Sequence, residues 1–205
     1  MMKSRRAFPW MVGLVFLLAA TRAEAHAVFS TRGPFIGGIK HFFLSLDDVL
    51  AALALGIVAA QNLAKAGNKV FWALPTAWLL GGLAGLAFNE PVRAAELLSA
   101  ASLLIGGLLA ALSLALPASL VLALAVLLGG MHGFLNGVAM QPETFGAGLS
   151  QLGGIVASAA FAALYPSTLL EIFKQPWTRI VARVLGSWIA ATGLLLIGWT
   201  LRVKK

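Results

Sequence analysis

Long apolar runs follow one another along most of the chain and are separated by short polar or proline-containing stretches. The breaks include "NLAKAGNK", "NEP", "QPETFG" and "EIFKQPWTR", and Pro117 divides the two central runs. A helix needs about 20 predominantly apolar residues to cross the hydrocarbon layer of a membrane, and the runs are close to that length. The pattern predicts six spanning helices, at about residues 36 to 61, 69 to 88, 92 to 115, 119 to 141, 146 to 168 and 181 to 201.

Composition supports a membrane protein. Of the 205 residues, 60% are hydrophobic and 11% are charged, a balance outside the usual range of soluble domains. We therefore predict an all-α, polytopic membrane bundle that contacts the lipid bilayer and has no second domain. The formal charge of +8 is spread over termini and short loops, so no nucleic-acid partner is expected. The chain contains no cysteine, which excludes disulfides and thiolate metal sites.

The N-terminal segment has the pattern of a secretory signal peptide. Basic residues in "MMKSRR" precede the short apolar stretch "AFPWMVGLVFLLAA", and "AEA" fits a cleavage site directly before His26. We predict a signal peptide over residues 1–25 and one six-span domain over residues 26–205; an uncleaved anchor helix is the alternative. The predicted location is the bacterial cytoplasmic (inner) membrane, with the mature N-terminus outside. Counting lysines and arginines in the loops does not determine the side of the C-terminus.

Two adjacent aspartates, Asp47 and Asp48, stand inside the first apolar segment. A carboxylate exposed to lipid costs about 2.5–3.5 kcal/mol on insertion scales, so both side chains should face the bundle interior or a wet cavity. Counted from Gly38, both lie roughly 15 Å along a helix, near the middle of the membrane. His41 is about 10 Å from Asp48 on a straight helix. A shared ligand therefore requires a break around "HFFLS"; a structural hydrogen-bonding role is the alternative.

A second polar group lies in "GGMHGFLNG" of the predicted fourth helix. His132 and Asn136 are four residues apart, so they share one helix face and can reach one cation or one aspartate. A hydrogen-bonded core histidine is an equally open interpretation. His26 would offer both its amino group and its imidazole to a metal if it became the first residue. The GxxxG spacing predicts close helix packing at Gly81, Gly85, Gly129, Gly133 and Gly137.

These segments together resemble the HupE/UreJ family over nearly the whole mature chain. The resemblance rests on "GGIKHFFLSLDDVLAALALGIVAAQ", "WALPTAWLLGGLAGLAF", "PVRAAELLSAASLLIGGLLAAL" and "MHGFLNG", in this order. It implies a six-helix frame and a role in nickel uptake that serves hydrogenase and urease. The family motif H-P-x-x-G-x-D-H-L puts His41 and Asp47 at family ligand positions. The motif H-G-x-x-H-G-x-E does the same for His132.

Several positions depart from the family pattern. Phe42 replaces the motif proline and Ser45 replaces the motif glycine, so the first segment lacks both of the residues that would break its helix. The other replacements fall at ligand positions: Asp48 and Asn136 stand for histidines, and Ala139 and Arg93 stand for glutamates. A remaining site would hold a divalent cation more weakly or with a different selectivity.

Two functions are consistent with this pattern. The first is a permease or metal-handling accessory that passes a divalent metal, nickel by resemblance, through a midplane site. Its ligands would be His41, Asp47, Asp48, His132 and Asn136, with His26 at the entrance; the cation is transient, and no permanent cofactor is expected. The second is a structural or accessory subunit of a larger membrane complex, whose aspartates form internal hydrogen bonds or pair with Lys40 or Arg93. An enzyme is not expected, because the HExxH motif is absent and no serine is expected near a base.

Overall fold

The computed structural model describes residues 33–62, 69–88, 90–140, 142–173 and 175–203. The predicted signal peptide and His26 lie outside these residues. The described part of the chain contains seven helices and no strand: α1 (Gly33–Leu44), α2 (Leu46–Gln61), α3 (Lys69–Leu86), α4 (Ala95–Leu112), α5 (Ala118–Ala139), α6 (Phe145–Ile172) and α7 (Pro176–Val203). Helices α3 to α7 are each long and apolar enough to cross a membrane, and the bent pair α1 and α2 is apolar enough to form either a sixth, broken span or a re-entrant loop. The predicted all-α, polytopic membrane fold is confirmed.

The first predicted span is two helices rather than one. Helices α1 and α2 are bent by 78° at a break around Ser45, whose φ of −84° and ψ of 87° are not helical. The replaced proline and glycine do not prevent this break, because tertiary packing holds α1 in place. A Cβ at Gly38 would overlap the carbonyl oxygen of Gln151 on α6, and the buried Phe42 ring lies 6.1 Å from the ring of Trp78.

The largest differences between predicted and observed helix boundaries lie at the end of α6 and the start of α7. Helix α6 continues through Pro166 to Ile172, past the predicted end at residue 168. Membrane helices tolerate an internal proline because neighbouring groups satisfy the freed backbone atoms. Helix α7 begins at Pro176 instead of residue 181, because proline has a preset φ angle that suits the first turn of a helix.

Helix α2 lies in the middle of the bundle. It contacts α4 and α6 extensively and also touches α5 and α7, and most residues from Ala51 to Ala59 are buried. We call the end of the bundle where α2, α4 and α6 begin and α3 and α5 finish the site end. At the opposite end α2 and α6 finish and α7 begins.

Glycines form a close helix contact between the parallel helices α3 and α5. A Cβ at Gly133 would overlap the carbonyl oxygen of Trp78, and a Cβ at Gly137 would overlap that of Gly82. Gly81 and Gly85 on α3 are equally close to the backbone of α5, and Gly129 packs against Leu74. All five glycines predicted to pack helices therefore lie in this one contact, which we call the glycine seam. Backbones this close gain dispersion contacts that side chains would prevent.

Candidate metal site

The acidic pair lies at the start of α2, directly after the break. Asp47 and Asp48 are the second and third residues of this helix, where the helix dipole stabilises negative charge by about 0.3–1 kcal/mol. Asp48 is 4% exposed, and Asp47 is half-buried. Both carboxylates were predicted to face the bundle interior or a wet cavity; Asp48 lies in the interior, and Asp47 is half-buried. The break thus gives the carboxylates a favourable helix end in an otherwise apolar region.

Helix α5 supplies the partners of Asp48. The Nδ1 atom of His132 is 2.7 Å from Asp48 Oδ1, and the Nδ2 amide of Asn136 donates to Asp48 Oδ2 over 2.9 Å. Both residues are buried, and His132 is 1% exposed. Their spacing of one helical turn puts them side by side on the face of α5 that meets α2. Both oxygens of the buried carboxylate are therefore bonded.

Helix α4 supplies two serines that were not predicted from the sequence. Ser99 Oγ donates to Asp47 Oδ2 over 2.6 Å, and Ser102 Oγ is 2.8 Å from His132 Nε2. Both serines are buried and lie three residues apart, so they share a helix face. This spacing in an apolar helix was the available signal, but small polar residues in membrane helices commonly serve packing alone.

The hydrogen bonds place one proton on His132 and a second in its contact with Asp48. Ser102 Oγ gives its hydrogen to the carbonyl oxygen of Ser99 over 2.6 Å, so it must accept from an N–H at His132 Nε2. The short contact between His132 Nδ1 and Asp48 also contains a proton, because two lone pairs at that distance would repel. A cation bound at Nδ1 must displace this proton.

The expectation that no serine lies near a base is wrong. Ser102, His132 and Asp48 form a hydrogen-bonded chain, so a serine does lie near a base. The same order of groups activates serine in acyl-transfer enzymes. Here Ser102 is 3% exposed and its hydroxyl donates to a backbone carbonyl. Its oxygen is therefore not presented to a substrate in this conformation.

His41 reaches the cluster through Asn136. Its Nε2 atom is 2.9 Å from Asn136 Oδ1, and it donates there because the Asn136 amide hydrogens go to Asp48 and to the carbonyl oxygen of His132. The bend at Ser45 makes this possible, since it turns the last turn of α1 toward α5. The distance between His41 and Asp48 along a straight helix had already indicated the need for such a break.

Three of the predicted ligands form a compact group. Asp47, Asp48 and His132 each offer a ligand atom, and these atoms lie within 4.8 Å of one another. His41 is outside this group, and Asn136 lies between them. Two carboxylates and an imidazole suit a divalent cation such as Mn²⁺, Ni²⁺ or Zn²⁺. His26 lies beyond the described part of the chain.

The Trp78 ring of α3 packs against the His132 ring. The two ring centroids are 5.3 Å apart and the planes are tilted by 30°, and Trp78 is fully buried. Its Nε1 atom is also buried and has no hydrogen-bond partner among the residues described. The carbonyl oxygen of Trp78 meets Gly133 across the glycine seam. One residue therefore links the seam to the imidazole.

Along the helices, the cluster lies closer to the site end than to the opposite end of the bundle. His132 lies seven residues before the end of α5, and Ser102 lies seven residues after the start of α4. Both distances correspond to about 10 Å, whereas the 22 residues of α5 span about 33 Å. The midplane estimate counted along a straight helix from Gly38, and the break at Ser45 removes that basis. The cluster occupies the part of the bundle nearest the site end.

Comparisons with known proteins agree with this architecture. The model of the family described as HupE / UreJ protein matches residues 14–196. A relative described as "Protein HupE", from Rhizobium leguminosarum bv. viciae, is 25% identical over 190 residues, which cover 90% of this chain and 94% of that protein. No solved structure matches the chain.

Proposed function

The chain belongs to the HupE/UreJ family, and from this membership and the site geometry we propose that it passes a divalent cation across the membrane. The cation is the transported substrate and not a resident cofactor. Nickel is the proposed metal, because the family resemblance implies it. The Asp47, Asp48 and His132 group is the proposed binding site, with Asn136 and His41 as its outer partners.

The observation that carries this proposal is the convergence of two carboxylates and an imidazole within 4.8 Å, in a bundle that spans a membrane. Ionisable groups at such depth are costly and generally mark ion or substrate pathways. The site also lies at a broken helix, which is how many transporters build ion sites. Of the two halves of this broken helix, α2 supplies the carboxylates and α1 brings His41 to Asn136.

The ligand set supports a moderate preference for nickel. Imidazole nitrogen suits Ni²⁺, whereas carboxylate and amide oxygens also suit Mn²⁺ and Mg²⁺. The compact group offers one imidazole and two carboxylates, so selectivity against Mn²⁺ should be weaker than in a site rich in histidine. Competition between Ni²⁺ and Mn²⁺ for uptake is a direct test of this preference.

A cavity lies at the site end next to the last turns of α5, although no ligand of the proposed site lines it. It has a volume of about 850 Å³, and its lining includes Glu90 and the residues Leu135 and Gly137 that flank Asn136. Beyond the cluster, buried apolar side chains of α2 such as Leu55, Ile57 and Val58 close the interior. We propose the cytoplasmic membrane as the location, with the site end outside. Transport then requires a second conformation that opens the other side.

Transport is tested with the full-length chain, made in bacterial membranes and reconstituted in vesicles that contain a nickel-sensitive dye. We expect faster Ni²⁺ influx than in empty vesicles and a loss of that increase in Asp48→Asn. Ser187→Ala is the control, because Ser187 is exposed and bonds only within α7. Influx equal to that of empty vesicles, or equal in Asp48→Asn and the unchanged protein, overturns the proposal.

A second function, a non-transporting accessory subunit, has its own supporting observation. Within the described structure both aspartates are satisfied internally, by Ser99, His132 and Asn136, so the cluster is complete as a structural network. Native mass measurement after gentle extraction discriminates the two functions. A species larger than one chain, with a reproducible partner and no bound metal, favours the accessory function. A lone monomer that binds nickel favours transport.

A further inference from the structure

An apolar cavity of about 540 Å³ lies between α2, α6 and α7, away from the polar cluster. Leu53 and Ile57 of α2 line one side, Leu169 of α6 a second, and Leu185 and Trp188 of α7 a third. Helices α6 and α7 scarcely touch along the parts described, so the cavity opens between them. In a membrane this space faces hydrocarbon and is accessible to lipid.

A second, polar cavity continues from the first at the opposite end of the bundle. It has a volume of about 470 Å³ and shares Leu170, Thr178 and Ala182 with the apolar cavity. Its other lining residues include Gln61 and Arg179. Because α2 and α6 finish here and α7 begins, this cavity lies at the level of the membrane–water interface. Trp177, in the first turn of α7, is the type of residue found at that level.

Gln61, which lines the polar cavity, has an unsatisfied acceptor atom. Gln61 Nε2 donates to the carbonyl oxygen of Ala110 over 2.9 Å, but Gln61 Oε1 is buried without a hydrogen-bond partner in the described structure. A buried acceptor left unbonded costs about 1–3 kcal/mol. A donor supplied by a bound molecule would remove that cost.

We propose that the two cavities form one binding site for an anionic phospholipid with a hydroxylated headgroup, such as phosphatidylglycerol. One acyl chain occupies the apolar cavity and the phosphate pairs with the Arg179 guanidinium, while the Gln61 side chain turns toward the cavity so that a headgroup hydroxyl donates to its Oε1 atom. Basic pockets between membrane helices bind anionic headgroups in this way. The charged side chain in the described lining of this cavity is the cation Arg179, which suits an anionic headgroup.

The dimensions favour a lipid over a protein partner. A helix about 10 Å wide fills roughly 400 Å³ per turn, so the apolar cavity would hold little more than one turn. An acyl chain is narrower and follows a curved space. The passage from an apolar to a cationic lining also matches the passage from acyl chain to phosphate within one molecule.

The test uses the full-length protein and native mass spectrometry, with phosphatidylglycerol or phosphatidylethanolamine added in equal amounts. We expect preferential retention of phosphatidylglycerol and about a fivefold lower retention in Arg179→Gln, because one basic residue contributes about 1 kcal/mol to binding an anionic lipid surface. Arg202→Gln is the control, since Arg202 lies in the last turn of α7 at the site end. Equal retention of the two lipids, or equal retention in Arg179→Gln and Arg202→Gln, overturns the proposal.

A second pair of variants tests the apolar cavity. Leu169→Trp adds volume inside it, whereas Leu195→Trp adds the same side chain at an exposed position of α7 that does not line it. We expect Leu169→Trp alone to lower phosphatidylglycerol retention, with thermal unfolding used to confirm that both variants are folded. Lower retention in both variants, or a second protein chain bound in place of lipid, contradicts the assignment.

Discussion

Helix α5 presents two unlike faces to its neighbours. Toward α3 it presents the glycine seam, where Gly133 and Gly137 meet backbone carbonyl oxygens and no side chain intervenes. Toward α2 and α4 it presents His132 and Asn136, which meet their partners only through side-chain hydrogen bonds. The two faces are one residue apart in the sequence, at His132 and Gly133.

This difference distinguishes contacts that fix the position of a helix from contacts that can be exchanged for bonds to a cation. A seam of backbone contacts has no rotatable group, so any added atom forces the helices apart. Hydrogen bonds between side chains can be replaced by bonds of similar strength to a cation. The glycine seam therefore fixes the position of α5 relative to α3. The side chains on the polar face of α5 can exchange their hydrogen bonds for bonds to a cation. Trp78 belongs to both, because its carbonyl oxygen meets Gly133 and its ring lies beside His132.

The largest expected effect is on the yield of folded protein, when a glycine of the seam is replaced. Gly133→Leu places four carbons where even a Cβ would overlap the Trp78 carbonyl oxygen, so we expect almost no folded protein in the membrane fraction. The measurement is the yield of monodisperse protein after extraction. Gly198→Leu is the control, because a Cβ there meets no described atom within 4 Å. Equal yields for the two variants would show that the seam does not fix α5.

The next largest effect is expected on Ni²⁺ affinity, when the aspartates of the polar cluster are changed. Asp48→Asn keeps the shape of the side chain but removes the charge that faces His132, so we expect Ni²⁺ affinity to fall by about 100-fold or more, beyond the loss typical of outer partners. Asp47→Asn should lower the Ni²⁺ affinity by a smaller factor, because Asp47 is half-buried and bonds to Ser99 alone among the contacts described. Isothermal titration measures both. An Asp48→Asn variant that binds nickel like the unchanged protein is incompatible with the proposed site.

A smaller effect is expected at His41. It touches the site only through Asn136 Oδ1, so His41→Gln should weaken Ni²⁺ binding by about tenfold, the lower end of the range for outer partners. Thermal unfolding should show little change, since glutamine can still donate to Asn136. A loss as large as that of Asp48→Asn would instead make His41 a direct ligand.

The smallest effect is expected at Ser102. Ser102→Ala removes the acceptor for the Nε2 hydrogen of His132, and we expect a loss of about 1 kcal/mol in the free energy of unfolding. Ser187→Ala is matched in chemistry but lies on an exposed face, where changes are usually within about 0.5 kcal/mol. Denaturant unfolding compares the two. No difference between them would mean that Ser102 does not support the imidazole.

The same comparison shows what the sequence can predict. The GxxxG spacing of α3 and α5 and the one-turn spacing of His132 and Asn136 are properties of single helices, so both could be read directly. The five long apolar helices α3 to α7 followed from hydropathy for the same reason. The described structure agrees with these local features.

Features that depend on contacts between helices were not predictable in this way. The break at Ser45 accompanies the packing of α1 against Gln151 of α6, and without it the position of the acidic pair was counted along a straight helix. Ser99 and Ser102 resemble ordinary packing serines until α4 is placed beside α2. The cavity between α6 and α7 follows from their separation, which no local pattern records.

The most direct test of the central claim is X-ray absorption at the nickel edge on the full-length protein loaded with one equivalent of Ni²⁺. A His26→Ala background removes the predicted terminal ligand. We predict a shell of oxygen and nitrogen ligands with the outer scattering of one imidazole, and loss of that scattering and of most bound nickel in His132→Gln. A shell of oxygen atoms alone, or an unchanged spectrum in His132→Gln, would contradict a metal site at the start of α2.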